Sequence, residues 1–239
     1  MNPLTNNDFT AVFHFTPLHY LVFIARSEAL FSKQELLKQG FAQNHFRTKS
    51  KKQDLERGFG DKAHLTTSSM PPILQAKLQA GFPHVGLRIN SSSFDDQDFE
   101  LCRFNVAMTR MLRRGNHAGH KTTPENGEYY EGIQIPIARN FEEQSRLLAA
   151  AKKKNRMVEV LVDHRFDLGE NTTVIAFSAQ DAEKAKEILN AISCAWPVVL
   201  ELSANYEAKQ EHFEACSDFL TQVIQAPDWR GNGLEFDKV

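Results

Sequence analysis

A single acidic residue, Glu159, lies inside the apolar run Val158-Glu159-Val160-Leu161-Val162. The length and β-branched content of this run predict a strand. Burying a charged carboxylate without a partner is costly, so Glu159 either faces solvent at the edge of a sheet or lines a polar cleft. In a cleft, a rigid strand would present the carboxylate to a bound substrate, which makes Glu159 the leading catalytic candidate.

Three other polar residues are chemically suggestive, but each has an ordinary structural interpretation. His14 lies between two phenylalanines, where a histidine is more often a hydrogen-bonded core residue than a ligand. Thr16 precedes Pro17 and fits the N-cap of a helix. Arg57, taken alone, is typical of a solvated surface. Their spacing alone does not decide between structure and function.

Lysine and arginine are concentrated in three stretches, although the formal net charge of the whole chain is only −2. Phosphate contacts supply much of the affinity of proteins for nucleic acids, and these side chains provide them. Each stretch alone is equally typical of a solvated surface, so the nucleic-acid interpretation requires that they converge on one cleft. The stretches are Arg47, Lys49, Lys51, Lys52 and Arg57; Arg110, Arg113, Arg114 and Lys121; and Arg146, Lys152, Lys153, Lys154 and Arg156.

Several other chemistries have no support in the sequence. The nucleophile elbow, the P-loop and the dinucleotide-binding glycine motif are all missing. His117 and His120 are three residues apart but have no nearby cysteine or carboxylate in a ligand pattern, so no metal site is predicted. Three widely spaced cysteines and an N-terminus without a signal-peptide pattern favour a reducing cytoplasm.

Hydrophobic periodicity predicts the elements that must position these residues. Strands are expected over residues 11–15, 63–67, 85–89, 101–106, 133–137, 158–163, 173–177 and 198–202. Helices are expected over 18–30, 32–40, 73–80, 141–154, 182–192 and 207–224, with Thr16 capping the first. Their irregular alternation favours an α+β fold over a doubly wound sheet. The segment 115–129 has the length and composition of a binding loop.

Taken together, these pieces resemble the DarT family of toxin-type ADP-ribosyltransferases, which use NAD to modify bases in nucleic acid. The run Val12-Phe13-His14-Phe15-Thr16 resembles the opening strand of the family with its His-x-Thr motif. Residues 53–57 are similar to the stretch that carries the catalytic arginine, and 158–162 to the strand that carries the catalytic glutamate. Segments 60–81 and 182–192 resemble further elements of the family. In the second strand the family usually has aromatic residues, whereas this chain has Ala63-His64-Leu65-Thr66-Thr67.

The resemblance implies an α+β, ADP-ribosyltransferase-like fold in which two packed, mostly antiparallel sheets form an NAD cleft flanked by helices. It implies an enzyme that transfers ADP-ribose from NAD, its co-substrate, to a base in single-stranded DNA or RNA. Glu159 and Arg57 would be catalytic, and NAD would be bound by His14, Phe15, Thr16, Leu65, Thr66 and Thr67. The nucleic acid would be bound by Lys49, Lys51, Lys52, Arg113, Arg114 and Lys153.

The expected organisation is one domain over 1–239, with a core at about 11–202, an insert at about 90–134 and a helical C-terminal extension. The family suggests the toxin of a toxin–antitoxin or phage-defence system, with a cognate antitoxin protein as partner and no membrane. Two alternatives remain open. A transferase acting on protein would keep Glu159 and the NAD site without needing the basic stretches. A non-enzymatic nucleic-acid-binding module would not bind NAD.

Overall fold

The computed structural model describes residues 2–39, 58–103, 137–204 and 206–225. Ten strands occur within these residues, and eight of them overlap segments whose apolar or alternating pattern predicted a strand. They are β1 (Ala11–Pro17), β2 (Ala29–Phe31), β3 (Lys62–Thr66), β4 (His84–Asn90), β5 (Glu100–Cys102), β6 (Ile137–Ala138), β7 (Glu159–Asp163), β8 (Arg165–Asp167), β9 (Thr173–Ala176) and β10 (Val198–Leu200).

Helices flank the strands, and three of them follow a residue whose side chain caps the first turn. The side chains of Ser32, Asn140 and Ser178 each accept a hydrogen bond from the backbone N–H three residues later, which satisfies a donor that the helix itself leaves unpaired. The helices are α1 (Pro3–Asn6), α2 (Leu21–Ser27), α3 (Lys33–Lys38), α4 (Pro72–Gln79), α5 (Phe141–Lys153), α6 (Ala179–Ala191) and α7 (Gln210–Gln225), with 3₁₀ turns at Leu18–Tyr20 and Ser91–Phe94.

Eight of the strands form one sheet in the order β10-β9-β4-β1-β3-β7-β5-β6, and β2 pairs with β8 separately. All pairings are antiparallel except that of β9 with β10. The centre of the large sheet is weakly joined. β1 pairs with β4 from Ala11 to Pro17 but with β3 at one residue pair, Phe13 with Thr66. The sheet therefore consists of two four-stranded halves that open from each other beside this pair.

Alternation along the central strands separates two apolar clusters. Val12, Leu65 and Val160 belong to the main core, which also includes buried residues of α2, α5, α6 and α7. Phe13 and Phe15 point to the other face of β1 and pack against a smaller cluster of buried residues. That cluster consists of Leu74, Leu78, Ile175 and Phe177.

The predicted α+β class and mostly antiparallel arrangement are confirmed, but two details near the first helix are wrong. Thr16 does not cap a helix, because it remains in β1 and pairs with Val85, and the chain first makes the 3₁₀ turn. The helix also does not reach Leu30. It stops at Ser27, since Glu28 adopts a left-handed conformation with φ of 47°, and Leu30 then pairs with Phe166.

The short β2–β8 pair was missed because three-residue strands carry too little pattern to be recognised. The predicted strands at 101–106 and 133–137 are only partly within the described residues, and the segment 115–129 lies outside them. No described helix is long and apolar enough to cross a membrane. Within the same described ranges, no group of three or more histidine, cysteine, aspartate or glutamate side chains could hold a metal ion.

Replacing Gly86 by alanine should destabilise the sheet through a steric clash with the aromatic face of β1. A Cβ at Gly86 would lie 2.8 Å from Cε1 of Phe15, closer than real Cβ contacts allow. We expect Gly86→Ala to lower the free energy of unfolding by about 1–3 kcal/mol, as overpacking usually does. Urea denaturation measures this loss. Gly169→Ala is the matched control, because a Cβ there meets nothing within 4 Å, and an equal loss in both variants would contradict the packing argument.

Buried His84, the first residue of β4, should make the protein sensitive to acid. Burial lowers the pKa of His84 from 6.5 to about 4. Between these values the unfolded chain binds a proton that the folded chain does not, so stability falls as the pH decreases from about 6.5 to about 4. The shift corresponds to about 3 kcal/mol. Urea unfolding of wild type and His84→Asn at pH 7 and pH 4.5 measures this contribution.

His84→Asn suits this comparison because the asparagine amide replaces the ring nitrogen Nδ1, which lies 3.1 Å from the Phe82 carbonyl oxygen. The variant should keep that hydrogen bond while losing the titrating group. We therefore expect a smaller loss of stability between pH 7 and pH 4.5 than in wild type. The same loss in both proteins would show that His84 does not cause the acid sensitivity.

Candidate active site

Glu159 is a buried carboxylate in the middle of the sheet half formed by β3, β7, β5 and β6. It is the first residue of β7, with Thr66 of β3 beside it on one side and Cys102 of β5 on the other. Only 4% of its surface is exposed. The sequence allowed Glu159 either to face solvent at the edge of a sheet or to line a polar cleft. Its burial excludes the solvent-facing edge.

The side chain of His64, which no pattern in the sequence marked as functional, contacts Glu159. Its ring nitrogen Nδ1 lies 3.0 Å from Oε1 of Glu159, and its Nε2 lies 3.3 Å from the carbonyl oxygen of Phe59. A buried carboxylate is tolerable only when hydrogen-bonded or paired, and His64 meets that requirement. The available signal was alternation, since His64 and Thr66 must share the face of β3 that adjoins Glu159.

His14 connects the two halves of the sheet where β1 and β3 separate. Its Nδ1 lies 2.9 Å from the carbonyl oxygen of His64. Burial lowers the pKa of His14 below its ordinary value of 6.5, so the ring is neutral at pH 7. A carbonyl only accepts, so Nδ1 carries the proton and Nε2 is left as a hydrogen-bond acceptor. His64 thus touches His14 through its backbone and Glu159 through its side chain.

The other residues predicted to bind NAD have unequal environments. Thr16 and Leu65 are buried, and Leu65 contributes its side chain to the main core. The hydroxyl of Thr66 accepts a hydrogen bond of 3.2 Å from the backbone N–H of Ser68. The hydroxyl of Thr67 accepts one of 3.0 Å from the backbone N–H of Val158 and so fixes the entry of β7. Their roles in binding NAD stay predictions.

Phe15 belongs to an aromatic wall on β1, which we define as Phe13 and Phe15. The two rings are nearly parallel, with centroids 6.2 Å apart and an interplanar angle of 5°. Phe177 lies against Phe15 with a centroid distance of 6.4 Å. Both residues of the wall are only partly buried, so a flat apolar surface is presented next to the split.

An ion-pair network holds the opposite end of the same sheet half. Lys62 Nζ contacts the carboxylate of Asp163 and lies 3.2 Å from Oε2 of Glu100. Arg139 Nε lies 2.7 Å from Oε1 of Glu100. These residues link β3, β7 and β5 and connect them to Arg139, which follows β6. The network therefore fixes the strand that carries His64 against the strand that carries Glu159.

Basic residues precede the strand that carries Glu159. Lys153 ends α5, and Lys154 and Arg156 follow it; all three side chains are exposed. Asn155, with φ of 46°, turns the chain from the helix into β7. Lys153 is therefore close in sequence to the buried carboxylate and open to solvent. The other predicted residues lie outside the described ranges: the catalytic candidate Arg57 and the nucleic-acid candidates Lys49, Lys51, Lys52, Arg113 and Arg114.

Comparison with known proteins gives matches among solved structures. No protein-family model and no curated protein matches the chain. Thermus sp. 2.9 DarT in complex with NAD+ has 14% sequence identity and a TM-score of 0.53, over 81% of this chain and 96% of that one. The same protein in complex with ADP-ribosylated ssDNA has 14% identity and a TM-score of 0.55, over 83% of this chain and 96% of that one. In complex with carba-NAD+ it has 14% identity and a TM-score of 0.53, over 84% of this chain and 99% of that one.

These matches cover nearly the whole of the DarT chain, so the likeness concerns the complete fold and not one motif. The α+β, ADP-ribosyltransferase-like fold that the sequence predicted is thereby confirmed, and the protein shares this fold with DarT.

Proposed function

We propose that this protein is an NAD-dependent ADP-ribosyltransferase that modifies a base in single-stranded DNA. The observation that carries the proposal is the buried Glu159 beside the split in the sheet, paired with His64. The fold it shares with DarT supports the substrates, because solved structures of that protein contain NAD+ and ADP-ribosylated ssDNA. DNA is preferred over RNA and protein for that reason.

Glu159 is assigned to the reacting sugar carbon of NAD. The bond between C1′ of the ribose and the nicotinamide nitrogen breaks, nicotinamide leaves with the bonding electrons, and positive charge develops on the ribose. A carboxylate fixed beside C1′ stabilises this charge without reorganising during the reaction. A nitrogen or oxygen of the base then forms the new bond to C1′, and Glu159 accepts the proton that the base loses.

The residues around the split fit such a substrate. His14 is neutral and keeps Nε2 as an acceptor, which suits a ribose hydroxyl as donor. The aromatic wall offers a flat surface for a heteroaromatic ring. Thr16, Thr66 and Thr67 are assigned to the same binding region, with Leu65 contributing through its backbone because its side chain is in the core.

Arg57 and the basic stretches complete the proposal on the strength of the family resemblance. A guanidinium suits the pyrophosphate of NAD or the edge of the acceptor base, since its donors form a fixed fork. Lys153 and its neighbours Lys154 and Arg156 would bind phosphates of the DNA strand leading to Glu159. Single-stranded substrate is expected because a base edge must reach the buried carboxylate.

Modification of DNA bases would harm the cell that makes the enzyme, so we propose a toxin role with a cognate antitoxin that blocks or reverses the reaction. A phage-defence system is one setting in which such a pair would act. A cytoplasmic location, where single-stranded DNA and NAD are both present, remains part of the same prediction.

Replacing Glu159 by glutamine should abolish transfer while leaving the fold intact, because the amide keeps the shape but loses the charge. We expect the rate of ADP-ribose transfer to single-stranded DNA to fall by about 10²–10³-fold or more, as when a group that stabilises transition-state charge is removed. Labelled NAD incubated with separate pools of single-stranded DNA, RNA and protein measures both the rate and the acceptor class. Glu159→Ala should be inactive as well.

Glu183→Gln is the control for this substitution, since Glu183 is exposed on α6, a helix that contacts β9 and β10 of the other sheet half. It should transfer ADP-ribose at the wild-type rate. The thermal shift caused by NAD should persist in Glu159→Gln, because a ligand that binds only the native state still stabilises it. Undiminished transfer by Glu159→Gln would refute the role of this carboxylate, and labelling of RNA or protein alone would refute the assigned substrate.

Neutralising the basic helix end should weaken DNA binding in a salt-dependent way. The double variant Lys153→Gln/Arg156→Gln removes two cations, and each phosphate contact contributes about 0.7 to the slope of log affinity against log salt for a single strand. We expect the slope to decrease by roughly 1.4 if both residues contact phosphate. Fluorescence anisotropy of a labelled oligonucleotide between low and high salt measures it.

Lys186→Gln is the control for the double variant, because Lys186 is an exposed lysine on α6, away from the basic helix end. It should leave the salt slope unchanged. Equal slopes for wild type and the double variant would exclude the helix end from the DNA-binding surface while leaving the catalytic assignment of Glu159 intact.

A further inference from the structure

We propose that His64 is the positioning residue for Glu159, holding its carboxylate in the orientation that the transfer step requires. The proposal rests on the proposed function, because orientation matters only if Glu159 acts on a bound substrate. His64 lies in the strand where the sequence departs from the aromatic pattern of the DarT family. Its assignment comes from the contacts of its ring.

The ring of His64 is held at both ends. Nδ1 lies 3.0 Å from Oε1 of Glu159, across the β3–β7 ladder, and Nε2 lies 3.3 Å from the carbonyl oxygen of Phe59 in the turn before β3. In the register of the ladder, Thr66 is opposite Glu159 and His64 is opposite Leu161. The His64–Glu159 contact is therefore diagonal, within reach of long side chains on neighbouring strands.

Both of these ring contacts are made to oxygen atoms. A carboxylate and a carbonyl oxygen have no proton to give, so Nδ1 donates to the carboxylate form of Glu159, and a ring that donates in both contacts carries protons on both nitrogens. Such an imidazolium–carboxylate pair offsets the cost of burying the charge of Glu159.

The two strands that carry this pair are held together at both ends of their ladder. Lys62, two residues before His64, contacts Asp163 at the end of β7, so the two strands are fixed at the far end of the ladder. At the near end, the backbone N–H of Thr67 donates to the carbonyl oxygen of Val158 at 2.9 Å. With both strands fixed, the contact with His64 Nδ1 orients Oε1 of Glu159. Loss of the Nδ1 donor would remove this contact.

Two amide substitutions distinguish the contacts of the ring. The amide nitrogen of asparagine occupies the position of Nδ1, and that of glutamine occupies the position of Nε2. His64→Asn should therefore keep the donor to Glu159, whereas His64→Gln should keep only the donor to Phe59. We expect kcat to fall by less than about 5-fold in His64→Asn and by about 10²-fold in His64→Gln, the scale of a misplacement of roughly 1 Å. KM for NAD should change by less than about 3-fold in both variants.

A purely structural role of His64 would give results that differ from those expected for a positioning role. It would lower the unfolding temperature and the folded fraction, and kcat divided by the folded fraction, which circular dichroism measures, would equal that of wild type. His84→Asn controls for the exchange of a buried histidine, since His84 lies at the start of β4, away from Glu159. Its kcat should equal that of wild type. Equal loss of kcat in His64→Asn and His64→Gln, or no loss in either, would overturn the proposal.

A second measurement does not depend on activity. Nuclear magnetic resonance of ¹⁵N-labelled histidine should show a proton on Nδ1 of His64 in wild type, and protons on both ring nitrogens if both contacts are made. In Glu159→Gln the Nδ1 signal should shift, whereas in His84→Asn it should not. A bare Nδ1 in wild type would overturn the role of His64 even if transfer is observed. Absence of transfer by wild type together with a protonated Nδ1 would refute the proposed function and leave the pairing intact.

Discussion

The single residue pair between β1 and β3 constrains everything else in this structure. β1 is fully paired with β4 from Ala11 to Pro17, so it cannot follow β3 when the second half of the sheet turns away. The main chain of β3 beside Phe13 is consequently reached by a side chain, that of His14, instead of by a neighbouring strand. A ligand can bind in an opening between the two sheet halves without disrupting the packing of the core. The aromatic wall and Glu159 both adjoin this opening.

Placing a carboxylate in such a sheet requires compensation. Glu159 is flanked by Thr66 and Cys102 on paired strands, and Oε1 is bonded to His64. The cost of burying the charge is met by this pairing, and the strands that carry the two residues are fixed at their far end by Lys62. Rigid strands and a paired carboxylate are the features of a preorganised site, where dipoles and charges are in place before the reaction begins.

Sequence similarity and structural similarity give different amounts of information for this chain. At 14% identity the likeness to DarT establishes the fold, while the chemistry must be argued from the residues that the fold brings together. The distinction matters in β3, where His64 and Thr66 lie next to Glu159.

The sequence by itself determined most of the helices and strands, because apolar periodicity and capping residues are local signals. Examples are the strand around Glu159 and the long helices at Phe141–Lys153 and Ala179–Ala191. It also identified Glu159, since a charge inside an apolar strand is conspicuous. The tertiary structure alone showed that this residue is buried and which side chain is hydrogen-bonded to it. His64 and Glu159 are 95 residues apart, and a contact at that separation depends on strand register. Thr16 was misassigned for the same reason, because its pairing with Val85 overrode a local helix-cap pattern.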